Sequence, residues 1–501
     1  MDENDIVAIA FLAQDPLPDP TSVPPVPVYV VPTPGDESWL TQPSATLLAG
    51  LAVLASAIIA FLATSLVRRQ AERHFRASNR RDRFATIAEQ LADTSAAVRV
   101  AGVYAMEALI DDWLKHGWNA VLWAAASGSA QSITNDQREA QACINVLCSY
   151  LRLPYSPSDR DQHQTKTVVR YAPTIEEEQR NIQYREEHHE YRQEDRPVRQ
   201  SIVRTIAGHL RDHPSVRSWS ALDFDFTGAH FEDADFSGTS CKGRMLYTRA
   251  QFHGDRTLFD NAEFHSEESP FDNAKFYSEE TSFDKAKFRG ARTSFERAQF
   301  HGEETRFINT EFRSKETSFD KAEFRSELTS FHETEFHGDR ISFNWAEFHG
   351  NHTAFDWARF DNKSTAFDHV RFRSSETTSF TMAQFGTTKA SKETGVSFDG
   401  ARFQSKCTSF NLVVFPKKWT SFFHAEFHSP ESTFNWASFR SLRTTFAGAQ
   451  FLGTHTSFAD PKSWTAVFFD WEWPLAGGKV GPARTPRPVG IEPDEWPPRI
   501  R

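Results

Sequence analysis

Three groups of side chains in this 501-residue chain are of types that do chemistry. Histidine recurs one residue past an aromatic, at His253, His265, His301, His337, His349 and His428. Imidazoles stacked on neighbouring turns of a repeat would form a metal-binding ladder. Equivalent units carry Arg, Ser, Asp or Tyr instead, so no ligand set repeats and exposed turn residues are expected. Carboxylates cluster at Asp223, Asp225, Glu232, Asp233 and Asp235, the raw material for a partner site or a general acid/base pair. No histidine converges on them, and a solvated edge that discourages strand pairing is expected. Of the cysteines, Cys143 and Cys148 sit five apart on a predicted helix, nearly on opposite sides, and cannot chelate. With Cys241 and Cys407 they read as thiols of a reducing compartment. There is no P-loop, dinucleotide glycine fingerprint, zincin helix or nucleophile elbow. The expectation is a protein that is not an enzyme and holds no metal or cofactor. An activity in the helical region 84–220 is the alternative, and would need a pocket with converging polar groups.

The elements that must position these residues are set by a repeat. From Tyr247 to Phe367 an F-x-x-A-x-F module recurs every twelve residues, eleven times. The first aromatics include Phe259, Phe271, Phe283, Phe295, Phe307 and Phe319. The second ones, five residues on, include Phe264, Phe276, Phe288, Phe300, Phe312 and Phe324. So short a fixed period marks a solenoid. In each pentapeptide a small residue precedes the aromatic by two, as in Thr281/Phe283 and Ala286/Phe288, so both point inward on an extended strand. The residues around them, such as Asp284, Lys285, Lys287, Arg289, Glu303 and Glu304, point out. Since 39 of the 45 phenylalanines lie in 222–458, at roughly 1.5–3 kcal/mol for each one buried, stacked Phe ladders can carry the fold.

This stretch resembles the pentapeptide-repeat family, which implies a mainly β fold, a right-handed four-sided β-helix. The departure is a two-residue spacer after every second pentapeptide, read as a bulge at two opposite corners. Four pentapeptides and two spacers give 24 residues per coil; a twelve-residue, two-faced coil is the alternative. Roughly ten coils about 4.8 Å apart would make a rod of roughly 48 Å. One extra residue between Phe367 and Phe380 and a polar insertion at Gly386–Ser397 interrupt the period, and the insertion is the expected surface loop.

Residues 1–44 hold nine prolines and no Lys or Arg, a disordered polyproline-leaning tail. Ala45–Val67 is uncharged and long enough to be a transmembrane helix. It starts too far in, and without a preceding basic region, for a cleaved signal peptide. Segment 68–83 follows with seven arginines. Arg68, Arg69, Arg73 and Arg76 are candidate contacts for anionic lipid headgroups. The positive-inside rule puts the tail outside and the rest in the cytoplasm of a single-pass membrane protein. Small residues at Ala52, Ser56 and Ala60 offer a seam for a homodimer through the span.

Residues 84–220 read as a helical collar. Helical patterns cover 84–110 (with Thr94 or Ser95 as an internal cap), 136–153 and 196–211, and 156–195 is a charged helix or linker. The stretches 98–113, 143–157, 191–211 and 218–236 resemble membrane-anchored pentapeptide-repeat proteins of actinobacteria, which implies this layout but no settled activity. The collar is expected to cover the first coil. In 459–501, Trp464, Phe468, Phe469, Trp471 and Trp473 are expected to cap the last coil, with 474–501 a loose Pro-rich tail. The expected function is a membrane-anchored scaffold whose β-helix presents outward residues to an unknown protein partner. The family also includes mimics of duplex DNA that bind type II topoisomerases, which needs a dense negative rod. The net charge of 221–458 is only −6, so nucleic-acid mimicry is the alternative and nucleic acid itself an unexpected partner.

Overall fold

The computed structural model describes residues 80–127, 130–155, 166–171, 185–190, 195–211, 218–386, 394–472, 474–475, 479–480 and 486–500. All belong to one compact unit, Ala77–Arg501. The tail 1–44, the span 45–67 and Arg68, Arg69, Arg73 and Arg76 lie outside the described residues, as does Trp473. Among the described residues no helix is long and apolar enough to cross a membrane.

Among the described residues the collar has four helices: α1 at 80–92, α2 at Ala96–Ser127, α3 at Ala130–Leu151 and α4 at Asp195–Arg211. The break between α1 and α2 is an Asx turn, with Ser95 N–H donating to Asp93 at 2.7 Å. Ile87, Leu91, Val103, Met106, Leu109, Ile110, Cys143, Ile144 and Leu147 are buried at helical spacing. Helix α2 runs well past the end expected at 110. Part of the stretch expected as a helix or linker is instead a hairpin, β1 (Lys166–Tyr171) antiparallel to β2 (Arg185–Glu190). The register sets Lys166 opposite Glu190 and Tyr171 opposite Arg185.

From residue 224 onward the chain is a right-angled β-solenoid of about ten turns, with four short strands per coil. In one coil these are Glu280–Ser282 (face I), Lys287–Phe288 (face II), Arg292–Ser294 (face III) and Gln299–Phe300 (face IV). All pair in parallel with the next coil: Thr281 with Thr305, Phe288 with Phe312, Thr293 with Thr317, Phe300 with Phe324. Every partner is two units on, so the coil holds 24 residues and the twelve-residue alternative falls. The faces assemble into two ten-stranded sheets (faces I and IV) and a fourteen-stranded one joining faces II and III. The join comes where Glu335–Ser342 and Arg359–Ala366 run unbroken around a corner.

Four phenylalanine ladders fill the interior. Phe283 stacks on Phe307 at 4.9 Å, Phe288 on Phe312 at 4.9 Å, Phe295 on Phe319 at 4.9 Å and Phe300 on Phe324 at 4.8 Å. Rings from opposite units meet edge to face, as Phe283 and Phe295 do at 5.6 Å and 89°. Stacking along the rod and T-contacts across it are both favourable aromatic geometries. The twelve ladder residues from Phe259 to Phe324 are all buried. The first coil departs from the period: Phe231 pairs with Phe252, and Cys241 occupies a ladder position beneath Phe264.

Two kinds of corner alternate. Between faces I and II, and between III and IV, the chain turns on F-D-x-A, with Ala286 N–H donating to Phe283 O and Lys285 left-handed at φ 58°. Where a serine directly precedes the first Phe of a unit, as at Ser282, Ser294 and Ser342, it was expected to point out; it does not. Ser282 is buried and donates to Asp260 of the preceding coil, as Ser294 does to Asp272 and Ser342 to Asp320. The corner aspartate is correspondingly half-buried: Asp284 accepts Ile308 N–H at 2.9 Å, and burial raises its carboxyl above the ordinary range. A buried Ser leaves no orphan donor because the Asp of the neighbouring coil accepts it.

The other two corners hold the spacers, at opposite positions as expected. The serine just ahead of the spacer turns inward to the threonine of the coil before: Thr257 to Ser278 at 2.7 Å, Thr293 to Ser314 at 2.7 Å, Thr305 to Ser326 at 2.7 Å, Thr408 to Ser429 at 2.7 Å. Where that residue is glycine the hydroxyl has no partner among the described residues, as at Ser269 (Gly290), Thr281 (Gly302), Thr317 (Gly338) and Ser432 (Gly453). The glycine is required: a Cβ on Gly302, at φ 96°, would stand 2.1 Å from Ser278 O. The extra residue before Phe380 is a bulge at Ser375–Glu376, where Glu376 and Thr377 N–H both donate to Asn351 O. Gly395–Ser397 is a regular face III strand between Ser364–Ala366 and Trp419–Ser421, so the insertion narrows to 387–393, outside the described residues.

At the far end Phe469 is buried and stacks on Phe446 at 4.6 Å, with Trp464 and Trp471 beside it. The tail expected to be loose returns. Ile491–Glu492 extends face I beside Thr456–Ser457, and Trp496 packs on Phe458 at 5.8 Å and Phe469 at 5.2 Å. Its prolines are tolerated because a terminal strand needs no outer N–H donors.

Candidate interaction surface

The acidic cluster was expected to be solvated; it is the seam on which the collar sits. Arg152 pairs with Asp225 at 2.8 Å, Arg196 with Glu232 at 2.9 Å and Asp233 at 2.6 Å, and Arg211 with Asp235 at 3.0 Å. Gln141 brackets Asp223, receiving its N–H at 2.8 Å and donating to its carbonyl at 2.6 Å. Tyr155 hydrogen-bonds Glu232. Behind the seam lies a fully buried network in which Arg199 pairs with Asp195 at 2.6 Å and donates to the carbonyls of Leu151 and Leu153, both at 2.9 Å. Arg99 stands 3.7 Å from the same aspartate, and Tyr150 donates to it. Burial works against ionisation of Asp225, but bonds from Thr227 and the Arg152 pair outweigh it and lower its pKa. Asp235 is lowered in the same way through Ser237 and Arg211. These carboxylates close the open end of the first coil, and the collar does cover it.

The histidines divide between two faces, His265 and His337 on face II and His253, His301, His349 and His428 on face IV. Tyr277 separates His253 from His301, stacking at 5.0 Å on each, and His230, which stacks on His253 at 6.4 Å, brings no third ligand with it among the described residues. His265, His337 and His349 each lie 3.2 Å from the glutamate two residues back, and His428 lies 2.9 Å from Glu426. Among the described residues no three His, Cys, Asp or Glu side chains come together as a metal site. Cys143, Cys148 and Cys241 are buried, and burial pushes each thiol up to about 12, which leaves them protonated packing groups. Cys407 is half-exposed on face I.

The outward surface differs from coil to coil. At the corner between faces IV and I, Asp255, Glu279, Glu303 and Glu327 stand one per coil, exposed and in no ion pair among the described residues. The column ends at Asn351. The corner between faces I and II reads Asn261, Lys285, Asn309 and Glu333, then Trp357, Met382, Leu412 and Trp436, and ends at Asp460, every residue left-handed. Trp357 and Trp436 are 48% and 42% exposed, and Trp345, on the opposite corner, 52%. Left-handed backbone suits Asn and Gly, and a bulky residue there is an outlier. Trp345 stacks on His369 of the next coil at 4.3 Å, whereas Trp357 and Trp436 stand outside the Phe core, half exposed. The sequence signal was visible: Trp replaces Asn, Lys or Arg as the third residue of F-D-x-A.

No family model, curated protein or solved structure matches this chain.

Proposed function

We propose that the chain is a membrane-anchored, non-enzymatic scaffold of the pentapeptide-repeat type, held by the span 45–67 with its β-solenoid in the cytoplasm. The observation that carries the reading is the separation of roles along the repeat. Inward Phe, Ala, Thr and Ser hold the coil, while outward positions vary without cost to it. Such a rod displays a pattern to a protein partner, and tethering raises its local concentration. The chemically suggestive residues have structural duties: the acidic cluster holds the collar, the histidines pair with glutamates or stack, and the buried thiols pack. Alkaline carbonate extraction of cell membranes tests the anchor. The full chain should stay in the pellet and a chain lacking 45–67 should not; release of the full chain would contradict it.

The DNA-mimic reading has one observation in its favour, the unpaired column Asp255, Glu279, Glu303 and Glu327. It covers four coils only, and the later coils carry more Lys and Arg than Asp and Glu. A supercoiling assay with a type II topoisomerase separates the readings. Inhibition abolished by Glu279→Gln/Glu303→Gln would favour mimicry.

A further inference from the structure

We propose that the corner between faces II and III in the late coils is a contact for anionic lipid headgroups, a second hold on the membrane besides the proposed span. The two spacers there are Lys418-Trp419 and Leu442-Arg443, each a cation beside an apolar residue. They lie on adjacent coils, since Leu442 N–H donates to Lys417 O at 2.8 Å and Thr420 N–H to Arg443 O at 2.9 Å. Ser441 is the inward residue of its corner, 2.8 Å from the Thr420 hydroxyl and 2.6 Å from Pro416 O. Alternation about it sends Arg440 and Leu442 outward. One coil earlier, Lys417 takes the serine's place and Val396 the threonine's, so no hydroxyl is stranded and the lysine is exposed. Lys417, Lys418, Arg440 and Arg443 are all exposed.

Neither 411–421 nor 435–445 contains an Asp or Glu. The carboxylates of adjoining coils are engaged. Asp361 is 2% exposed and 3.6 Å from Arg359, Asp399 accepts the Ser421 hydroxyl and, at 3.0 Å, Phe423 N–H, and Asp470 accepts Gly448 N–H at 2.7 Å. Asp460 stands across face II, on the corner between faces I and II. Segment 387–393 lies outside the described residues and is no part of the site. Among the cations sit two apolar groups. Leu442 is 79% exposed, and the half-buried Trp419 indole covers Gly395, where a Cβ would stand 2.1 Å from the ring. Leu and Trp ringed by Lys and Arg suit the boundary between headgroups and acyl chains, which the apolar groups enter while the cations stay at the phosphates. A nucleic-acid backbone would use the cations and leave Leu442 in water. Four cations make a weak, salt-sensitive contact. The proposal therefore rests on the span 45–67 to supply the local concentration that populates it.

The test uses the full-length chain with Cys407→Ser, reconstituted in vesicles of phosphatidylcholine alone or with about a third phosphatidylserine. An NBD fluorophore is attached at Leu442→Cys or, as a control on the acidic corner, at Glu303→Cys. Emission at 442 should rise at least twofold with phosphatidylserine and fall back at about 0.5 M salt, where screening is strong; emission at 303 should not change. Adding Lys417→Gln/Lys418→Gln/Arg440→Gln/Arg443→Gln should keep the thermal melt and remove the rise. Equal emission at 442 in both vesicles, or a rise that survives the four changes, would overturn the proposal. So would a rise produced by duplex DNA and not by phosphatidylserine. Flotation of the same samples separates this reading from the anchor. A chain that floats with both vesicles keeps the span whatever the fluorophore reports. One that floats only with phosphatidylserine loses the span and keeps the patch, and one that floats with neither loses both.

Discussion

The solenoid is one core wearing two surfaces. Residues 221–340 carry 25 Asp and Glu with 16 Lys and Arg, whereas 341–458, two residues shorter, carries 9 and 12. The stacking does not change: Phe295 meets Phe319 at 4.9 Å in the first half, and Phe398 meets Phe422 at 4.9 Å in the second. Some outward charges in the first half are matched across coils, as in Lys287 with Glu263 at 3.2 Å and Arg306 with Glu280 at 2.5 Å. Exposed tryptophan appears only in the second. The coil is thus indifferent to what it wears, and the proposed scaffold function assigns the difference between the halves to recognition.

If the core is common to both halves, its largest disruptions should be equal. Phe295→Ala and Phe398→Ala should each cost about 3–5 kcal/mol in urea unfolding followed by circular dichroism. A gap larger than about 1.5 kcal/mol would mean the halves are held differently. The spacer corners give a finer contrast. Thr293→Val, which strands buried Ser314, should cost about 1–3 kcal/mol, while Thr281→Val, removing a hydroxyl with no partner, should be neutral or stabilising. At the corner between faces I and II, Trp436→Asn should leave stability unchanged or raise it by up to about 1 kcal/mol, because Asn takes left-handed backbone more readily. Loss of more than that would show the indole to be a core element.

Acid should act first at the collar. Asp225 and Asp235 have pKa values below the ordinary 3.8, so their contribution is complete above that value and is lost as pH falls from it through their folded values. Asp284 and Asp368 are raised by burial and contribute in the opposite sense, the coil gaining as they protonate. Hydrogen exchange at pH 3 should therefore show α3 and α4 losing protection before the central coils. Simultaneous loss would mean that collar and rod form a single cooperative unit.

Much of the fold was legible because Phe fixes both period and facing. The 24-residue coil followed from four pentapeptides and two spacers, and the parallel register agrees. The inward serines were not legible, since Ser282 is polar and its acceptor, Asp260, lies a full coil away. Nor was the seam, because Asp225, Glu232 and Asp235 read as lone carboxylates until folding brings Arg152, Arg196 and Arg211 to them. The returning tail was hidden by its prolines, although Ile491 and Trp496 were the apolar residues that a loose segment has no use for. The run Trp357, Met382, Leu412 and Trp436 needed the register, since its four residues are consecutive only once the coils are stacked.

The most direct measurement is proximity labelling in cells, comparing the full chain with a version carrying Asn at 357, 382, 412 and 436. A scaffold whose less charged half is its display surface predicts an unchanged membrane fraction, an unchanged melting temperature for the purified protein, and loss of most labelled neighbours. A neighbour set that survives all four changes would contradict it.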